Sequence, residues 1–187
     1  IAIDILPFPG IDVVADAHTM PFRDGSFAGI VMLDVLHHLE RPVDFLKEAA
    51  RVLRPGGRLA MVEPGISPVS WWFYNFLHQE PVRMREDPFA MREHRPDKDP
   101  FDSNQAIPTL MLGRRAGLDR LSAAVPSLRP VQVDWLSLAA YPLSGGFKPW
   151  CLVPASAVTA LIAFEDRLPR ALRRLAGFRL FAVLERV

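Results

Sequence analysis

The sequence predicts an α/β fold with a mostly parallel sheet, and three observations carry that expectation. Apolar runs and helical repeats alternate along the chain, as in sheets covered by helices. The run Phe27 to Leu33 (FAGIVML) is nearly continuous in apolar character, which suits a parallel strand covered on both faces. Arg41 to Leu53 sets Val43, Leu46, Ala49, Ala50 and Leu53 on one helical face, and Pro42 suits a first turn.

Taken in order, Ile1 to Ile5 reads as a strand that includes Asp4, and Pro7, Pro9 and Gly10 break the chain after it. Ile11 to Ala15 is a second short β-branched run that ends at Asp16. About six residues separate these two runs, fewer than a parallel crossover usually takes. The second is therefore expected as a short edge strand reached by a wide loop. Pro55, Gly56 and Gly57 stop the helix and feed a strand from Arg58 to Val62, closed by Glu63 and Pro64. Residues 65–103 form an aromatic-rich insertion within a single domain spanning 1–187. Beyond it the patterns predict a helix over Asn104 to Ala123, strand character over Val131 to Tyr141, and a loop from Pro142 to Pro154. A helix follows over Ala155 to Leu175, broken at Pro169, and a last strand runs from Phe178 to Val187.

Bulk properties exclude several classes. The net charge is +1, so no strong field attracts nucleic acid or an acidic membrane. One cysteine, Cys151, rules out an internal disulfide framework and a cysteine-based zinc site, and a cytoplasmic location is expected. No apolar stretch has the length of a membrane span, so stable membrane insertion is not expected.

The most informative stretch runs from Asp16 to Gly57. It holds Asp16-Ala17, then Met20-Pro21-Phe22, then Asp24-Gly25-Ser26-Phe27, then Leu36-His37-His38, then Arg51-Val52-Leu53-Arg54-Pro55-Gly56-Gly57. Each piece is weak alone, but five in this order and spacing resemble the type-11 family of class I S-adenosylmethionine-dependent methyltransferases. Met20 stands where that family usually has leucine, and Ala28 where it usually has aspartate. The glycine-rich loop that follows the family's first strand has no counterpart. The chain starts at Ile1, inside a strand, so the native protein is expected to be longer at its N-terminus.

The resemblance implies a doubly wound, Rossmann-like sheet of order 3-2-1-4-5-7-6 with an antiparallel C-terminal strand and the central first strand missing here. It implies S-adenosyl-L-methionine as cofactor. Ligands of open α/β sheets bind outside the carboxyl ends of the strands, where Asp4, Asp16 and Asp34 stand. On that pattern Asp4 accepts hydrogen bonds from the ribose hydroxyls and Ile5 lies under the adenine edge. Asp16 accepts from the adenine amino group beside the Ala17 backbone. Leu33 and Asp34 line the sulfonium, with a helix-cap role open for Asp34. The acceptor is expected to be a small-molecule, lipid-like or glycan-linked compound, attacked in line with no protein nucleophile. A non-catalytic module on the same scaffold, binding a partner or ligand, is the alternative.

His37 and His38 invite a metal reading, but adjacent histidines on one short helix diverge and no Glu-x-x-His spacing supports them, so no metal is expected. A pocket-wall role suits them, and His37 is the candidate general base because imidazole titrates near neutrality. Trp71, Trp72, Phe73, Tyr74 and Phe76 crowd into six positions. Trp71 and Tyr74 are assigned to a lid that contacts substrate, Trp72 and Phe76 to a buried seam; contact with a membrane surface is a third reading. Ser144-Gly145-Gly146-Phe147 lacks the lysine-serine pair and context of a phosphate loop and reads as a turn or a loop beside the site. Oligomeric state is not legible.

Overall fold

The computed structural model describes residues 1–93, 95, 97–146 and 150–187. Strands β1 (Ile3–Asp4) and β2 (Val13–Val14) pair in parallel and form a small sheet of their own. The short loop between them suffices because each strand is only two residues long. A second sheet holds β3 (Phe27–Leu33), β4 (Leu53–Pro64), β5 (Leu128–Leu136) and β6 (Arg179–Arg186) in the order β3-β4-β6-β5. β3 and β4 are parallel, and β6 runs antiparallel to both of its neighbours. This order reproduces the 4-5-7-6 half of the expected sheet, with the C-terminal strand reversed.

A 3-10 turn at Leu36–His38 follows β3. Helix α1 (Pro42–Val52) then buries Phe45, Leu46, Ala49 and Ala50 against the sheet, close to the predicted face. Strand β4 begins at Leu53, before the predicted Arg58, and its first part needs glycine: Gly56 has φ +74°, and a Cβ on Gly57 would meet the Arg54 carbonyl oxygen at 2.8 Å. The charged face of α1 does more than meet solvent. Arg51 donates to the Phe22 and Met20 carbonyls at 2.8 and 3.0 Å and pairs with Asp24 and Glu48. Glu48 in turn accepts from the Met20 amide at 2.7 Å. These bonds hold the Met-Pro-Phe turn onto the helix. Arg186, at the end of β6, donates to the Ala50, Arg51 and Leu53 carbonyls, which the end of α1 leaves without helical partners.

The region after β4 departs from the prediction. Helix α2 (Pro68–Phe76) begins with Ser67, whose side chain accepts from the Ser70 amide while the Ser70 hydroxyl accepts from the Ser67 amide. The single helix expected over Asn104 to Ala123 is two, α3 (Ile107–Met111) and α4 (Arg115–Ala124). The break at 112–114 lets α4 fold back on α3, so closely that a Cβ on Gly117 would lie 2.1 Å from the Leu110 carbonyl oxygen. β5 ends at Leu136, and Tyr141 falls in the short helix α5 (Ala140–Leu143) instead of a strand. Helices α6 (Ala155–Glu165) and α7 (Arg170–Ala176) flank Pro169, as predicted. β3 is covered on one face only: Met32 is buried, whereas Val31 and Leu33 are 86% and 64% exposed. The expectation of cover on both faces fails there. No helix of the described residues is long and apolar enough to cross a membrane.

The core gathers Leu46, Leu53, Leu59, Met61, Leu180 and Leu184 between the sheet and α1. Leu184 is fully buried on the central strand β6. Leu184→Ala is expected to lower unfolding free energy by about 2–5 kcal/mol, the range for a buried leucine truncated to alanine. Urea unfolding followed by circular dichroism measures it, and a loss well under that range would show that this site collapses around the smaller side chain.

Candidate functional site

The carboxyl ends of β3 and β4 carry a connected group of charges. β3 leaves the sheet at Asp34, a non-glycine residue with φ +54°. Such a conformation costs free energy and is held only by its surroundings. Here the Asp34 amide donates to the Val62 carbonyl at 3.0 Å, and Arg179 meets the Asp34 carboxylate at 2.5 Å. Burial pushes the Asp34 carboxyl up, against the pull of Arg179. Arg179 opens β6, and because β6 is antiparallel its first residue reaches the same end of the sheet where β3 and β4 finish. Its guanidinium lies 5.6 Å from the Tyr141 ring centre. Asp34, Arg179, Tyr141 and Ser137 line a cleft of about 280 Å³.

Glu63 ends the same stretch of β4 and is fully buried. Its Oε1 accepts from the Val35 and Leu36 amides at 2.9 and 2.8 Å, and its Oε2 meets His37 Nδ1 at 2.8 Å. On the other side of that ring, His37 Nε2 lies 3.4 Å from Glu80. Glu80 also accepts from Ser103 at 2.8 Å and from Gln105. Burial alone would lower His37, but hydrogen bonds to Glu63 and Glu80, with their charges, raise it to about 9. Burial would raise Glu80, yet the hydrogen bonds from His37 and Ser103 hold it down at about 2. His38 is pushed down by burial and by the His37 charge. His37, His38, Glu40, Arg83, Arg95 and Lys98 face a larger cavity of about 690 Å³.

This geometry changes the reading of His37. An imidazole whose Nδ1 is bonded to Glu63 and whose Nε2 faces the Glu80 carboxylate at 3.4 Å, with its pKa raised to about 9, has no lone pair to take a proton near neutrality, which favours a positioning role over the general-base one. The two histidine rings do not diverge either. The tight 3-10 turn sets their centres 4.2 Å apart. Tyr74 is also reassigned. It is 1% exposed and donates to the Phe178 carbonyl at 2.9 Å, which makes it part of the seam and not of a lid. Trp72 and Phe76, expected in the seam, stack on each other at the surface instead, while Trp71 is partly exposed. The helical period puts Tyr74 on the inner face of α2 and leaves the other three outside.

Asp4 ends β1 opposite Val14 of β2, and Asp16 follows two residues after β2. Asp4 Oδ1 accepts from the Leu6 amide at 2.9 Å, and Ile5 beside it is about half exposed. Asp16 Oδ1 accepts from the His18 amide at 2.9 Å and from His18 Nδ1 at 2.6 Å, and Ala17 packs on the core. Burial pushes Asp16 up, but the His18 hydrogen bonds outweigh it and leave the carboxyl below its ordinary range. His18 Nε2 in turn accepts from the Arg41 amide at 3.4 Å, so the ring carries its proton on Nδ1. Among the described residues no hydrogen bond or ion pair joins this group to Leu33 and Asp34. Of the Ser144–Phe147 stretch, Ser144 and Gly146 line the smaller cleft, and Phe147 lies outside the described residues.

The sequence pattern does not by itself single out Glu63, Glu80 or Arg179 as site residues. Glu63 had a signal, since it closes an apolar strand run as Asp34 does. Arg179 had one too, as a charge opening an apolar strand. Glu80 had none: it reaches His37 through a loop with no periodic pattern.

Opposed ionisations give the site a pH signature. His37 is held above its ordinary 6.5, so its contribution to stability is complete below 6.5 and lost as pH rises through about 9. Glu80 is held below its ordinary 4.5, so its contribution is complete above 4.5 and lost as pH falls through about 2. Thermal melting in a chelating buffer should therefore show the contribution of this pair on a plateau from pH 4.5 to 6.5. A His37→Gln variant should lose the alkaline fall; the same fall in both proteins would rule His37 out as its source.

Comparison with known proteins bears on the N-terminal part. Residues 6–61 match the family model described as "Methyltransferase domain". A 27-O-demethylrifamycin SV methyltransferase of Amycolatopsis mediterranei is 49% identical over 47 residues, 25% of this chain and 17% of that protein. A ubiquinone/menaquinone biosynthesis C-methyltransferase of Paracoccus denitrificans is 42% identical over 65 residues, 34% of this chain and 26% of that protein. The chain thus aligns with about a quarter or less of the length of these relatives. Among solved structures, a geranyl diphosphate methyltransferase in complex with GPP and sinefungin superposes with a TM-score of 0.50 at 16% identity, covering 92% of this chain and 52% of that one. That likeness shows the fold.

Proposed function

We propose, on the match of residues 6–61 to the methyltransferase-domain family and the site described above, that the protein is a class I S-adenosylmethionine-dependent methyltransferase that transfers a methyl group from S-adenosyl-L-methionine to a small-molecule or lipid-like acceptor. The observation that carries the reading is the set of acids at the carboxyl ends of parallel strands, Asp4, Asp16 and Asp34, within or beside the stretch that matches the family. The residues fit an adenosine. Asp4 turns one oxygen to its own loop and keeps Oδ2 for the ribose hydroxyls. Exposed Ile5 offers an apolar face to the adenine. Asp16, fixed by His18, and the Ala17 backbone hold the amino edge. Leu33 and Asp34 face the reacting end.

Bound S-adenosyl-L-methionine supplies an electrophilic methyl group. The chain's own part is positioning, which alone can account for a large share of a barrier. The Arg179–Asp34 pair fixes the strained exit of β3 beside the reacting end. Glu63 fixes the following turn. Trp71, partly exposed on α2, is assigned to the acceptor. One relative is named as a 27-O-demethylrifamycin SV methyltransferase and another for ubiquinone/menaquinone biosynthesis, which agrees with a small or lipid-like acceptor.

Isothermal titration of the full-length protein with S-adenosyl-L-methionine tests the reading. Binding in the micromolar range is expected, and Asp4→Ala should weaken it by roughly tenfold or more, since a hydrogen bond to a charged group contributes about 1.5–3 kcal/mol. An unchanged affinity in Asp4→Ala would remove the ribose assignment. No binding below the millimolar range would leave the non-catalytic module.

A further inference from the structure

We infer that His37, His38 and Glu80 form a binding site for one divalent first-row metal ion of the zinc type, open to the cavity beside them. Ligand atoms of the three residues lie within 4.8 Å of one another. His37 Nε2 and Glu80 Oε2 are 3.4 Å apart. That is long for a charge-assisted hydrogen bond, which runs at about 2.7–2.9 Å. It matches the edge of a tetrahedron: bonds of about 2.1 Å from zinc to nitrogen and oxygen set neighbouring ligand atoms about 3.4 Å apart.

The surroundings have the features that metal ligands need. A ligating histidine usually gives its other ring N–H to a carboxylate, which sets tautomer and ring orientation. His37 Nδ1 does so to Glu63 at 2.8 Å, and Glu63 is itself anchored by two backbone amides. Ligating carboxylates are in turn hydrogen-bonded. Glu80 is held by Ser103 and Gln105. Among the described residues, the buried His38 Nδ1 has no hydrogen-bond partner. The nearby cations are engaged elsewhere: Arg95 pairs with Glu40 at 2.5 Å, and Lys98 donates to the His38 and Asp102 carbonyls, each at 2.9 Å.

Two imidazoles and one carboxylate are a ligand set of catalytic zinc sites, in which the fourth position is left for water or substrate. His37 and His38 line the cavity of about 690 Å³, so a fourth ligand reaching the ion from that side would be water or an oxygen-bearing molecule. Metal binding releases the His37 Nε2 proton to solvent and forms the nitrogen–metal bond in its place. The inference does not rest on the methyltransferase reading.

The test uses the full-length protein, dialysed against chelator and titrated with Zn²⁺ by calorimetry and with Co²⁺ by visible absorption. One equivalent should bind, and the Co²⁺ form should show the strong absorption of a four-coordinate ion. Glu80→Gln and His38→Ala, both at the accessible side of the cluster, should each weaken Zn²⁺ by at least about tenfold, the lower end of what loss of a supporting contact costs. Circular dichroism and melting identify the folded variants, and one folded variant is enough to read the result. No binding below about 1 mM, or an affinity unchanged in every folded variant, would overturn the site, whatever the titration with S-adenosyl-L-methionine shows.

Discussion

Glu63 holds the site together. It sits fully buried at the end of β4 and accepts the two amides that follow the strained residue Asp34, together with the proton on His37 Nδ1. Without it, the Val35 and Leu36 amides would lose their acceptor and the buried His37 ring would keep only Glu80 as a partner. An unmade hydrogen bond of that kind costs about 1–3 kcal/mol per neutral group and more for a charge. The turn from β3 to His38 therefore depends on a residue contributed by the neighbouring strand. The positive φ at Asp34, the close pair of histidines and the approach of Glu80 all follow from where that turn is held.

Further contacts extend the same arrangement outward. Arg179 reaches Asp34 because β6 is reversed, so an antiparallel strand places a cation at the end of the sheet where parallel strands place acids. Arg186, at the opposite end of β6, satisfies the carbonyls where α1 gives way to β4. Arg51 fastens the Met20–Asp24 turn to α1. The motif Arg-Val-Leu-Arg-Pro-Gly-Gly is thus structural at its first arginine, Arg51, and at its glycines, and it fixes the path of β4 towards Glu63.

Much of the fold was legible because periodicity reports burial. The α1 face, the break at Pro169 and the reversed last strand could all be read from apolar spacing and from the family order. The second apolar face of β3 misled, because a continuous run shows only that a strand can be covered, and Val31 and Leu33 are open. The aromatic segment misled in another way. The run Trp71 to Phe76 has no polar face from which to fix its helical phase, so Tyr74 was placed outside and Trp72 inside. The site was half legible. Acids at strand ends could be read from position alone. The His37–Glu80 contact could not, since it depends on a loop whose course is set by tertiary hydrogen bonds from Ser103 and Gln105.

The central claim is that Glu63 governs the state of His37 and the turn that bears it. A nuclear magnetic resonance titration of the His37 ring in the near-isosteric Glu63→Gln protein tests it most directly. With the carboxylate gone, the His37 pKa should fall from about 9 towards or below its ordinary 6.5, because burial then acts with less opposition. A value that stays near 9 in the folded variant would contradict the account and assign control of the ring to Glu80.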